Sequence, residues 1–117
     1  MWYTLSMPYV VVGLGNPGEE YANTRHNTGR MVVSAFLNEH ADDDFISKKK
    51  IKTLMPDTFM NNYGKAVAPL VKNPDNLIVV YDDFNLPIGS LRVSYNRSSG
   101  GHNGLQSVIK YVKTEAF

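Results

Sequence analysis

The chain has 117 residues, of which 43% are apolar and none is cysteine, and its formal net charge at pH 7 is +1. This length is enough for the core of one domain and too short for two, so residues 1–117 are predicted to form a single domain. The lack of cysteine excludes disulfides, thiolate metal sites and thiol nucleophiles, and it suits the cytoplasm, where we expect the protein. All apolar runs are far shorter than a membrane span, so no membrane partner is expected.

Strand and helix patterns alternate along the chain. Apolar runs of strand length lie at 8–14, 50–55 and 76–81. Helical patterns begin at Asn27 or Thr28, at Asp57 or Thr58, and at Asn103. The residues named for the first two helices are their candidate N-caps. The alternating segment 91–95 is expected to be a fourth strand that returns antiparallel beside its neighbour. The order β-α-β-α-β-β-α predicts an α/β fold, with a mixed, mostly parallel sheet flanked by helices.

Two ionisable side chains are predicted to meet at the carboxyl edge of this sheet. His26 directly precedes the first helix, and Asp82 directly follows the strand predicted at 76–81. A carboxylate that hydrogen-bonds one ring nitrogen of a histidine leaves the other nitrogen able to take a proton from water. The pair is therefore a candidate general base. The structural alternative, a histidine that stabilises a loop and an aspartate that closes a turn, has equal weight at this point.

Three asparagines occupy similar positions near the starts of helices or the ends of strands, namely Asn16, Asn61 and Asn103. A carboxamide offers two donors and one acceptor without charge, so it can bind a peptide backbone or donate to a developing oxyanion. Taken one at a time, each is better explained as a turn or capping residue than as a substrate-binding group.

Two other kinds of site fit the sequence less well. The glycine pattern at residues 13–18 matches a dinucleotide-binding fingerprint, but it leads into a polar, acidic loop instead of the start of a helix. A metal site of His26, Asp82 and His102 is conceivable, yet it lacks the close ligand spacing of such sites. The sequence therefore favours neither a cofactor nor a metal.

Four motifs, taken together and in order, resemble bacterial-type peptidyl-tRNA hydrolase. They are Gly13-Leu14-Gly15-Asn16-Pro17-Gly18 with Tyr21 and Thr24-Arg25-His26-Asn27, Thr58-Phe59-Met60-Asn61, Asp82-Asp83 with Leu86-Pro87, and Gly100-Gly101-His102-Asn103-Gly104-Leu105. The resemblance extends from about residue 8 to the last residue.

The resemblance implies hydrolysis of the ester that joins a peptide to the terminal ribose of tRNA. It implies that His26 activates water, that Asp82 orients His26, and that Asn16 is linked to the requirement for a blocked amino group. It further implies that the substrate is contacted by Tyr21, Phe59, Asn61 and Asn103. No cofactor and no metal are implied. The alternative is a non-catalytic module on the same scaffold that binds RNA or a partner protein.

The partner implied by the resemblance is tRNA, which basic side chains would hold through its phosphates. The candidates near the predicted site are Arg92, Arg97 and Lys110 or Lys113. Members of the family continue past the position of Phe117 into a further strand and C-terminal helices, so the chain is expected to be short at this end. The family implies a monomer, and the open edge left by the shorter chain makes self-association the alternative.

Overall fold

A parallel three-stranded sheet lies at the centre of the fold. The computed structural model describes residues 9–16, 27–40, 51–59, 62–83, 86–87 and 89–117. Within these residues the strands are β1 (Tyr9–Gly13), β2 (Ile51–Leu54) and β3 (Leu77–Val80). Their order is β2-β1-β3 and both pairings are parallel. The carboxyl ends of all three strands therefore lie at the same edge of the sheet.

The central strand β1 carries the middle of the core. Val12 is fully buried and lies opposite Leu54 on one side and Val79 on the other. Its near-continuous apolar sequence is typical of a parallel strand that is covered on both faces. The buried residues that cluster with it are Val10, Leu14, Tyr63, Val67, Leu77 and Val108.

Three α-helices are present in the described part of the chain. They are α1 (Thr28–His40), α2 (Tyr63–Val67) and α3 (Asn103–Val112). The α2 and α3 helices pack closely, and the backbone N–H of Gly64 donates to Ser107 Oγ at 3.0 Å. A β-carbon at Gly64 would collide with the backbone carbonyl of Ser107, so only glycine permits this approach. The α/β fold with a parallel sheet flanked by helices is confirmed.

The second helix begins later than predicted. Neither Asp57 nor Thr58 caps it, because the α-helix begins at Tyr63 and its N-cap position is Asn62. The hydroxyl of Thr58 is buried and makes no hydrogen bond in the described residues. Arg30 Nη1 donates to the Pro56 carbonyl at 2.6 Å, so this carbonyl is engaged by α1 and not by a helical turn. The segment after Pro56 is held by a tertiary contact that sequence periodicity does not reveal.

The predicted antiparallel strand at 91–95 is not present. Leu91 and Val93 are 87% and 89% exposed. No backbone hydrogen bond joins residues 91–95 to other described residues. An alternating sequence favours an extended segment, but a strand also requires a neighbour for its backbone groups. Among the described residues, no helix is long and apolar enough to cross a membrane.

Candidate active site

The ends of β1 and β3 are joined at the carboxyl edge of the sheet. The backbone N–H of Leu14 donates to the Val80 carbonyl at 3.0 Å, and Arg30 N–H donates to the Leu14 carbonyl at 3.2 Å. Gly29 makes this approach possible, because a β-carbon there would fall on the Val80 carbonyl and within 2.6 Å of Leu14 N. The start of α1 is thereby fixed against the ends of both strands.

Asn16 is held by two separate sets of hydrogen bonds. Its backbone N–H donates to Asn27 Oδ1 at 2.7 Å, and Asn27 Nδ2 donates back to the Asn16 carbonyl at 2.8 Å. Asn27 is 2% exposed, so this reciprocal pair is shielded from water. The side-chain oxygen of Asn16 accepts from the Tyr63 hydroxyl at 3.0 Å. Asn27 therefore fixes the backbone after β1, whereas sequence reasoning made it a candidate cap for α1.

The Tyr63 hydroxyl remains protonated at neutral pH. Burial raises the pKa of this phenol above its ordinary value of 10.0, and the negative charge of Asp82 acts in the same direction. The positive charge of Arg30 and a hydrogen bond from the backbone of Gly15 act in the opposite direction without cancelling the effect of burial. The hydroxyl can thus donate its proton to Asn16.

Asp82 lies directly after β3 and is paired with His102. Its side chain is 8% exposed, and Oδ1 lies 3.0 Å from His102 Nε2. The other ring nitrogen, Nδ1, accepts the backbone N–H of Leu105 at 3.0 Å and so caps α3. A nitrogen that accepts a hydrogen bond carries no proton, so the ring proton is on Nε2 and is donated to Asp82. Tyr81 packs edge-on against the same ring, with centroids 4.9 Å apart.

Both ring nitrogens of His102 are therefore engaged, and neither offers a lone pair to a metal ion. Among the described residues, no group of three or more histidine, aspartate or glutamate side chains could hold a metal. The polar groups at this edge of the sheet can orient a substrate and hold a carboxylate in place. A proton acceptor for water would have to come from a side chain that faces Asp82.

The other predicted site residues are placed as follows. His26, Tyr21 and Asn61 lie outside the described residues. Phe59 is 56% exposed, and Asn103 is the exposed first residue of α3, directly after His102. In the described part of the site, Asn103 directly follows the histidine that hydrogen-bonds Asp82.

Arg92 and Arg97 are exposed and lie within electrostatic range of the Tyr81 hydroxyl. Burial and the charge of Asp83 raise the pKa of Tyr81, while Arg97 and Arg92 act to lower it. Arg97 Nη1 also lies 3.5 Å from Ser94 Oγ. Two cations therefore act on Tyr81, the residue that precedes Asp82.

Sequence reasoning did not find Tyr63 as a partner of Asn16, nor His102 as the partner of Asp82. Tyr63 fits the apolar face of the predicted second helix, and it is a core residue in the structure. The sequence gives no signal for the direction of its hydroxyl. His102 directly precedes a predicted helix, so its capping role could have been anticipated. Its second bond, to a residue 20 positions earlier, could not.

The comparisons with known proteins agree on one family. The family described as Peptidyl-tRNA hydrolase matches residues 10–117. A curated peptidyl-tRNA hydrolase from Fervidobacterium nodosum is 46% identical, with 88% of this chain and 60% of the relative covered. One from Aquifex aeolicus is 42% identical, with 92% of this chain and 65% of the relative covered.

A crystal structure of peptidyl-tRNA hydrolase from Acinetobacter baumannii superposes with a TM-score of 0.84 at 31% identity. The superposition covers 97% of this chain and 66% of that protein. The chain thus spans between 60% and 66% of the length of these three proteins. The similarity includes the whole described site and leaves about a third of each relative without a counterpart here.

Proposed function

Because the chain belongs to the peptidyl-tRNA hydrolase family, we propose that it hydrolyses the ester bond of peptidyl-tRNA to release peptide and tRNA. The observation that carries this proposal is the buried Asp82 carboxylate, held by His102 at the sheet edge where Asn16 is also fixed. A carboxylate oriented in this way is the group that a histidine base requires. His26, two residues before the start of α1 in sequence, is the proposed base.

The proposed reaction uses water as the nucleophile. His26 takes a proton from water as the water oxygen attacks the ester carbonyl carbon, and Asp82 stabilises the imidazolium that forms. Asn61 or Asn103 donates a hydrogen bond to the carbonyl oxygen as it gains negative charge. The tetrahedral intermediate then expels the ribose oxygen, which receives the proton from His26. This scheme uses no metal and no organic cofactor.

The proposed substrate contacts involve the residues around this centre. Tyr21, Phe59, Asn61 and Asn103 would position the peptidyl end of the substrate. Arg92 and Arg97 would bind tRNA phosphates, because they are exposed cations on the side of the site marked by Tyr81. We propose a cytoplasmic location, because the proposed substrate is a product of translation there, and a monomeric state, because the family resemblance implies one.

The test is release of labelled N-acetyl-aminoacyl groups from tRNA by purified protein. We expect turnover by the wild type and a loss of at least about a hundredfold in His26→Ala, the usual minimum for a missing general base. Asp82→Asn should lose about as much, because an amide favours the wrong tautomer of the base.

Two matched control variants are available in the same elements. His40→Ala removes a histidine at the far end of α1, and Asp75→Asn changes an exposed aspartate before β3, at the opposite end from Asp82. Both controls should keep wild-type turnover. A folded wild-type protein that binds tRNA without turnover would contradict the proposal and favour a binding module.

A further inference from the structure

We propose that Tyr63 is a positioning residue that sets the orientation of the Asn16 carboxamide and thereby the preference for substrates with a blocked amino group. The substrate part of this inference rests on the proposed function. The structural part rests on the contacts of the Tyr63 hydroxyl and ring and on the fixed backbone of Asn16.

The Tyr63 ring has little freedom to move. Tyr63 is 3% exposed and belongs to the core cluster. The start of α3 lies directly against it, since a β-carbon at Gly104 would come within 2.8 and 2.9 Å of ring carbons of Tyr63. The bond between Gly64 and Ser107 fixes α2 against α3 on the next residue. The position of the Tyr63 hydroxyl is therefore determined by the packing of the two helices.

The Asn16 side chain is restrained from both ends. The reciprocal bonds to Asn27 fix its backbone, and the Tyr63 hydroxyl holds Oδ1. The Tyr63 hydroxyl donates its proton to Oδ1 at 3.0 Å, so the oxygen end of the carboxamide is occupied, and the pKa raised by burial keeps that proton in place at neutral pH. Within the described residues, Nδ2 of Asn16 makes no hydrogen bond. The NH2 group is thus the end of Asn16 that is left for a substrate.

A carboxamide that presents NH2 distinguishes between the two forms of an aminoacyl substrate. An N-acyl group carries a carbonyl oxygen, which accepts a hydrogen bond from NH2. A free α-ammonium group carries only donors and a positive charge, so it finds no acceptor there. If Asn16 presented Oδ1 instead, it would bind the ammonium group and the preference would be weakened or reversed.

The activity test compares Tyr63→Phe with the wild type on one aminoacyl-tRNA in its N-acetylated and its free form. Tyr63→Phe keeps the buried ring and removes only the hydroxyl. We expect the ratio of kcat/KM for the blocked over the free substrate to fall about fivefold to tenfold, the usual effect of one lost hydrogen bond. The matched control is Tyr111→Phe. The Tyr111 ring lies on α3 and packs on Gly64, which follows Tyr63 in α2, and removal of its hydroxyl should leave the ratio unchanged.

An unchanged ratio, or an equal loss on both substrates, would overturn the assignment of specificity. A second measurement is independent of activity and uses urea unfolding of Tyr63→Phe, Asn16→Ala and the double variant. We expect the effect of the double variant on the unfolding equilibrium constant to differ by about threefold to tenfold from the product of the two single effects. Additive effects would overturn the contact itself. A folded wild type without turnover would overturn the proposed function and the specificity assignment, while the unfolding cycle would still decide the contact.

Discussion

The two hydrogen bonds of His102 can be removed one at a time. Asparagine places its side-chain oxygen near the position of Nδ1, so His102→Asn should keep the bond from Leu105 N–H and lose the bond to Asp82. Glutamine places its NH2 group near the position of Nε2, so His102→Gln should keep the donor to Asp82 and lose the helix cap. The two variants therefore separate the effect on the carboxylate from the effect on α3.

The magnitudes follow from the two contacts. The bond to Asp82 involves a charged acceptor whose side chain is 8% exposed, and such bonds contribute about 1.5–3 kcal/mol. If half of this contribution positions Asp82 for the base, His102→Asn should lower kcat by about tenfold. The cap satisfies the N–H of Leu105, which is 4% exposed, and loss of a cap costs about 1 kcal/mol.

The assay pairs kcat on N-acetyl-aminoacyl-tRNA with amide hydrogen exchange of Leu105. His102→Asn should lose activity with little change in the exchange rate, and His102→Gln should keep more activity with an exchange rate about fivefold higher. A nitrogen-15 spectrum of the wild type should show the proton on Nε2 and not on Nδ1. Equal losses of activity in both variants, or a protonated Nδ1, would refute this reasoning.

Three further predictions concern stability and titration. Gly29→Ala should lower the free energy of unfolding by about 3 kcal/mol or more, measured in urea, because its β-carbon would fall on the Val80 carbonyl. If Gly29→Ala unfolded at the same urea concentration as the wild type, the packing around Gly29 would be looser than described. The hydrogen bond to Asp75 raises the pKa of the Tyr95 phenol above 10.0, so Asp75→Ala should bring it down towards 10.0 in an NMR titration. An unchanged pKa of Tyr95 in Asp75→Ala would show that the hydrogen bond between Tyr95 and Asp75 does not form in solution. Because burial raises the pKa of Tyr63, the folded protein binds more protons than the unfolded chain above pH 10.0, and stability should fall as pH rises from there. The part of this loss of stability that comes from Tyr63 should be missing in Tyr63→Phe. The same pH dependence of stability in the wild type and in Tyr63→Phe would contradict the prediction.

The sequence alone determined the scaffold and the edge at which the candidate site lies. Apolar runs of strand length predicted the ends of β1, β2 and β3 to within one or two residues. Because these strands are parallel, Asn16 and Asp82 lie at the same edge of the sheet. These features follow from local pattern, because strand propensity and the direction of the chain are properties of neighbouring residues. The roles of His26, Tyr21 and Asn61 remain predictions, since these residues lie outside the described part of the chain.

Only the tertiary structure decided which polar groups pair. Asp82 and His102 are 20 residues apart, and Asn16 and Tyr63 are 47 apart, so no local pattern could specify either bond. The same holds where the prediction was wrong. Segment 91–95 has the alternation of a strand but no described neighbour for its backbone, and the Asp57 carboxylate, a candidate helix cap in the sequence, lies beside Arg30 in the structure. Local sequence sets which conformations are favoured, whereas hydrogen-bond partners are chosen by the packing of distant elements.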